Sequence, residues 1–130
     1  MRTSGAAPHV AVILLADVGY RDGLSNKISL LGVFHKIIVE TLPLTVQCAL
    51  FLRLVDGRGD YPLILRVVEE DTAITVVETP LTVQFRDPLV PLDVILPCAF
   101  EARKYGAVVL SVMDKRTEIA SLRLPVEKKP

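Results

Sequence analysis

Leu44-Thr-Val-Gln-Cys-Ala-Leu-Phe-Leu-Arg-Leu-Val55 decides the fold. Leu44, Val46, Cys48, Leu50, Leu52 and Leu54 share one parity; Thr45, Gln47 and Arg53 hold the other, together with Phe51 and Val55. Successive side chains of an extended chain point to opposite faces, so this pattern predicts a half-buried strand with Cys48 inside. The reading is binary. A slip of one residue would bury Gln47 and Arg53.

Leu42-Pro43 closes the segment before this strand, and Asp56-Gly57-Arg58-Gly59-Asp60 is a turn by composition. Beyond these, His9–Ala16 and Ile28–Val39 read as strands toward the N-terminus, the second slipping its alternation at Gly32. The turn formers of 17–26 separate them. Toward the C-terminus come Leu63–Val68, Thr72–Thr79, Leu81–Phe85, Leu92–Phe100, a strand around Val108–Val112, and Ile119–Val126. Pro97 places Leu92–Phe100 at a sheet edge. Short strands at this spacing predict an all-β fold: a two-sheet antiparallel sandwich of eight or nine strands, Ig-like or C2-like. Residues 1–8 read as a loose arm, 9–126 as one domain and 127–130 as a frayed tail.

Bulk properties exclude several functions. Fifteen Lys and Arg balance fifteen Asp and Glu, so the basic surplus expected of a nucleic-acid binder is missing. The 51% hydrophobic content comes from Val, Leu, Ile and Ala, because aromatics supply 5% and Trp is absent. The longest apolar run, Val10–Ala16, is far below the roughly 18 to 20 residues that span a bilayer, so no membrane role is expected. Pro8, His9 and Asp17 argue against a signal peptide. Two cysteines make no secreted disulfide framework. A cytoplasmic protein with reduced thiols is expected.

Chemical motifs are weak. Asp17 and Asp22 flank one loop, and Asp56 and Asp60 another. Several Asp on loops at one end of a sandwich suit a hard cation, yet Asp is also an ordinary turn former, and no Asp-x-Asp pair crowds oxygens together. Arg58-Gly59-Asp60 spells an integrin-recognition tripeptide in a turn whose composition already explains it. His9 and His35 lack neighbouring ligands. Cys48 and Cys98 fall on apolar faces and behave as small hydrophobes. With no nucleophile elbow and no phosphate-cradling glycine loop, neither an enzyme nor a bound cofactor is expected.

The run Asp17, turn, Lys27, Gly32-x-Phe34 and Pro43 resembles an uncharacterised family of small bacterial β-sandwich proteins, over about residues 9–126. Where that pattern has Gly before the Lys, this chain has Asn26, which also tolerates left-handed backbone. The resemblance implies a sandwich and transfers no catalytic residue.

One positive clue remains. His9–Ala16 and Ile28–Val39 are apolar on both faces, whereas the outer face of a two-layer sandwich is ordinarily polar. Something must cover the excess, and a second copy of the chain is the simplest cover. A non-catalytic, self-associating interaction module is therefore expected, with Ile13, Leu15, Ile37 and Val39 in an interface or under a covering loop. The alternative is an ion- or small-ligand-binding sandwich using loops 17–26 and 56–60.

Overall fold

In a computed structural model describing residues 7–130, the even positions of the deciding strand line the core. Leu50, Leu52 and Leu54 are fully buried, with Val46 and Cys48 beside them, while Thr45, Gln47 and Arg53 are exposed. Leu44 departs from the pattern at the strand's exposed start.

Nine strands form two sheets: β1 (His9–Arg21), β2 (Ile28–Phe34), β3 (Ile37–Val39), β4 (Leu44–Val55), β5 (Gly59–Glu69), β6 (Thr75–Phe85), β7 (Leu92–Ala102), β8 (Gly106–Asp114) and β9 (Thr117–Lys128). The first sheet runs β2-β1-β4-β7 and the second β3-β9-β8-β5-β6. All pairings are antiparallel except β3 with β9, which is parallel. The core lies between Leu15, Leu50, Leu52 and Leu54 of the first sheet and Leu63, Val67, Leu110, Leu124 and their neighbours of the second. Pro97 does sit in an edge strand, and so does Pro80 in β6, where a missing N–H costs no ladder bond.

The structure joins the expected strands Thr72–Thr79 and Leu81–Phe85 into the single β6, and redraws three further boundaries. First, β1 continues past Asp17 to Arg21, so the turn is only Asp22–Lys27. Its Asn26 adopts φ +62°, the left-handed conformation in which Asn replaces Gly. Secondly, Ile28–Val39 is two strands. His35-Lys36 carries the chain from the first sheet to the edge of the second. Thirdly, the tail is not frayed through 127–129: Glu127 and Lys128 pair with Ile38 and Val39, and Lys129 N–H donates to Val39 C=O at 3.0 Å. Of the expected N-terminal arm, residues 1–6 lie outside the described residues and Pro8 is buried.

Candidate interaction surface

β1 pairs with β4 as far as Ala16 opposite Ala49 and then leaves it. Its second half, with β2, folds back over the outer face of the first sheet. A Cβ on Gly19 would stand 2.5 Å from Ile95 Cδ1 and 3.0 Å from Leu30 Cδ2, so glycine allows this close approach without displacing either side chain. Arg21 anchors the fold-back: its Nη2 donates to Asp93 C=O at 2.6 Å and its Nη1 to Asn26 C=O at 3.1 Å. Asp93 is in turn bound by Arg53, whose Nε and Nη2 donate to its carboxylate at 2.7 and 3.0 Å and hold it below the usual carboxylate range. This cover explains why Phe51 and Ala49 are buried on the parity that leaves Gln47 and Arg53 exposed.

The bend brings two of the motif residues together. Asp17 and Gly32 fall between the register pairs Ala16–Val33 and Val18–Leu31, and Gly32 has φ +70°. The Asp17 carboxylate occupies the place where a Gly32 side chain would be, with Cγ 2.9 Å from that Cβ position.

Folding one face of the hairpin inward turns the other outward. Val18 faces Leu31 across the pair, Ala16 faces Val33 and Tyr20 faces Ser29. Val18, Tyr20, Leu31 and Val33 are 50%, 52%, 58% and 55% exposed, a contiguous apolar strip on a two-stranded ribbon. The outer strand of that ribbon, β2, is a sheet edge. The four edges differ in how they are guarded. β7 carries Asp93, Pro97 and Glu101; β6 carries Glu78 and Pro80; β3 is three residues long. Charge, proline and brevity are among the means by which edges avoid adding strands. β2, Ile-Ser-Leu-Leu-Gly-Val-Phe, has none of them.

Ile13, Leu15, Ile37 and Val39 do not form such a strip. Leu15, Ile37 and Val39 belong to the core, and Ile13 packs half-buried against it. The reason lies in register. Ile13 and Leu15 pair with Leu52 and Leu50 on the inner face, and Ile37 and Val39 dock in the short strand beside β9. The sequence signal that would have found the exposed set is the same two-faced apolarity, read on the opposite parity of β1.

The four candidate carboxylates do not converge. Asp17 sits at the bend, and Asp22 stabilises its own turn, accepting from Ser25 N–H at 2.6 Å; hydrogen bonds from Ser25 hold it below the usual carboxylate range. Asp56 remains in the β4–β5 turn, while Asp60 is paired with Gln84 inside β5. Among the described residues, no three His, Cys, Asp or Glu side chains come close enough to hold a metal ion. Gly59 and Asp60 of the Arg-Gly-Asp tripeptide are in strand β5, not at a loop tip. His9 and His35 are exposed, one at the start of β1 and one in the β2–β3 link. The turn Asp22–Lys27 does border a cavity of about 560 Å³, but its other wall is the β6–β7 connection, including Arg86 and Asp87, and not 56–60.

Residues 11–126 match a family of unknown function, DUF6941. The chain belongs to DUF6941. The DUF6941 match includes the bend, the strip and all of β2, and reaches into every one of the nine strands. No curated protein matches the sequence.

Proposed function

We propose that this DUF6941 domain is a non-catalytic assembly module whose copies join through strand β2. The observation that carries the reading is the unguarded edge: seven uncharged residues without proline, flanked on the exposed face by Val18, Tyr20, Leu31 and Val33. An edge strand presents a row of unpaired N–H and C=O groups that another strand can satisfy. Closed two-fold dimers are the commonest homo-oligomers, and antiparallel β2–β2 addition is self-complementary in that sense. It joins two four-stranded sheets into one and brings Leu31 and Val33 of each copy beside those of the other. The apolar strip supplies the contact area, and the backbone ladder supplies the direction.

Light scattering on the eluting native protein tests this. A dimer is expected at micromolar concentration. Leu31→Lys places like charges beside each other across the two-fold and is expected to give a monomer with an unchanged far-ultraviolet spectrum. Thr82→Lys, on the guarded β6 edge, is expected to leave the dimer intact. A monomeric wild-type protein, or a dimer indifferent to Leu31→Lys, overturns the proposal.

A further inference from the structure

We propose that Cys48 and Cys98 are a reversible dithiol–disulfide pair, oxidised by a low-molecular-weight disulfide that enters between edge strands β6 and β7. This does not rest on the β2 reading, since β7 is the opposite edge of the first sheet.

The two cysteines are register partners, directly opposite in the antiparallel β4–β7 pair, and both side chains face the core. Directly opposite residues in such a pair have Cα atoms roughly 4.5 to 5.5 Å apart, inside the range of roughly 4.4 to 6.8 Å that a disulfide spans. Both are free thiols, and Cys48 Sγ lies 3.6 Å from Cys98 C=O. The sequence places both on apolar strand faces, which would bring them close if the faces meet, but with fifty residues between them it does not set their register.

Two cavities reach the pair: one of about 530 Å³ under the β1 fold-back is lined by both Cys48 and Cys98, and only Cys98 lines the second as well. The second, a cleft of about 210 Å³, opens between the sheets where β6 and β7 face each other. Cys98 forms part of its wall with Leu65, Leu81, Pro80 and Pro97; Cys48 does not line it. Pro80 and Pro97 each lack an N–H, so the facing edges cannot zip together at these positions and close the cleft. The chemistry has the same polarity. Hydrogen bonding from Cys48 holds the Cys98 thiol below its ordinary value, whereas that contact, together with burial, pushes Cys48 up. The thiolate is the attacking species, so Cys98 reacts first.

The exchange balances without further reagents. Cys98 thiolate attacks one sulfur of the small disulfide, forming a mixed disulfide and expelling one thiolate. Cys48 passes its proton to that thiolate and attacks Cys98 Sγ. The protein disulfide forms and the second small thiolate leaves, taking up the proton released earlier by Cys98. Two protein thiols are oxidised and one small disulfide is reduced to two thiols.

The test is to hold the native full-length chain with oxidised glutathione, quench in acid, unfold, alkylate with a maleimide and weigh it. Both thiols are expected to disappear together, with a mass loss of two hydrogens, no covalent dimer, and full recovery in dithiothreitol. Cys48→Ser is expected to stop at a glutathione adduct on Cys98, and Cys98→Ser to leave Cys48 free. Two outcomes overturn the proposal: wild-type thiols that survive under native conditions but react once unfolded, or equal adduct formation by the two variants.

Discussion

Gly32→Ala, alone and with Asp17→Ala, tests whether the bend is built as described. Two costs fall on the new methyl group. The backbone at φ +70° is left-handed, which costs a residue with a Cβ about 1–2 kcal/mol. The methyl also enters the space of the exposed Asp17 carboxylate, with Cγ at 2.9 Å and Cβ at 3.2 Å, and the carboxylate must rotate away; an off-rotamer side chain costs about 0.5–1.5 kcal/mol. The single variant should therefore lose about 1.5–3.5 kcal/mol of stability. Asp17→Ala alone removes an exposed side chain and should stay within about 0.5 kcal/mol of wild type. In that background the carboxylate clash is gone and only the Cβ contact and the backbone cost remain, so Gly32→Ala should cost about 1–2 kcal/mol. The coupling of about 0.5–1.5 kcal/mol is the measurable signature. Urea unfolding with a common m-value reads all four corners of the cycle. Equal cost of Gly32→Ala in both backgrounds would show that the carboxylate does not lie over Gly32. A negligible cost in both would remove the left-handed backbone as well.

Leu54→Ala empties a fully buried site and should cost about 2–5 kcal/mol in the same assay; a loss under about 1 kcal/mol would contradict the core assignment. Acid should unfold the domain through the β5–β6 turn. There the Thr72 hydroxyl, followed by Arg103, holds Glu69 low against its burial, while Arg123 and Lys104 do the same for Glu70 and Asp71. Folded pKa values below the unfolded ones mean that this stability is complete above the ordinary carboxylate range and is lost as pH falls through the lower, folded values. Arg103→Ala should lower the melting temperature at neutral pH more than at pH 3, and a uniform drop would refute the linkage.

Much of the fold could be read from alternation. Leu44–Val55 shows period two wherever Thr45, Gln47 and Arg53 meet water, and the last strand shows it because one of its faces is wet; β8 is buried on both faces, and there the alternation of Val108, Leu110 and Val112 marked only the inner one. β1 and β2 were harder for physical reasons. Asp17 and Gly19 look like turn residues, yet one fills the space over a glycine and the other permits the approach to Ile95. Local composition cannot tell a turn from a close approach. The break at His35-Lys36 has no Gly or Pro to mark it, because an exposed two-residue link needs none. The apolar excess was legible, but its disposition was not. Part is buried on the outer face of the first sheet, as at Phe51, and part faces outward, as Val18, Tyr20, Leu31 and Val33 on the ribbon and Ile38 in β3. The Cys48–Cys98 adjacency depends on the β4–β7 register, which no single strand encodes.

The parallel pairing of β3 with β9 has a consequence for how a nascent chain can fold. Ile37–Val39 emerges early, directly after β2, but its hydrogen-bonding partner is Val126–Lys128. The β1–β2 hairpin and the β1–β4 pair can form as soon as Val55 is made. β3 must wait for almost the whole domain to follow. Until then Ile37 and Val39 belong to no sheet, and the tethered β2 edge stands beside them with its own ladder groups open. Non-local pairing of this kind folds slowly and lengthens the time during which strand edges are exposed. Chains crowded on one message would meet one another's β2 edges before their second sheets are complete, so assembly and misassembly would begin from the same strand.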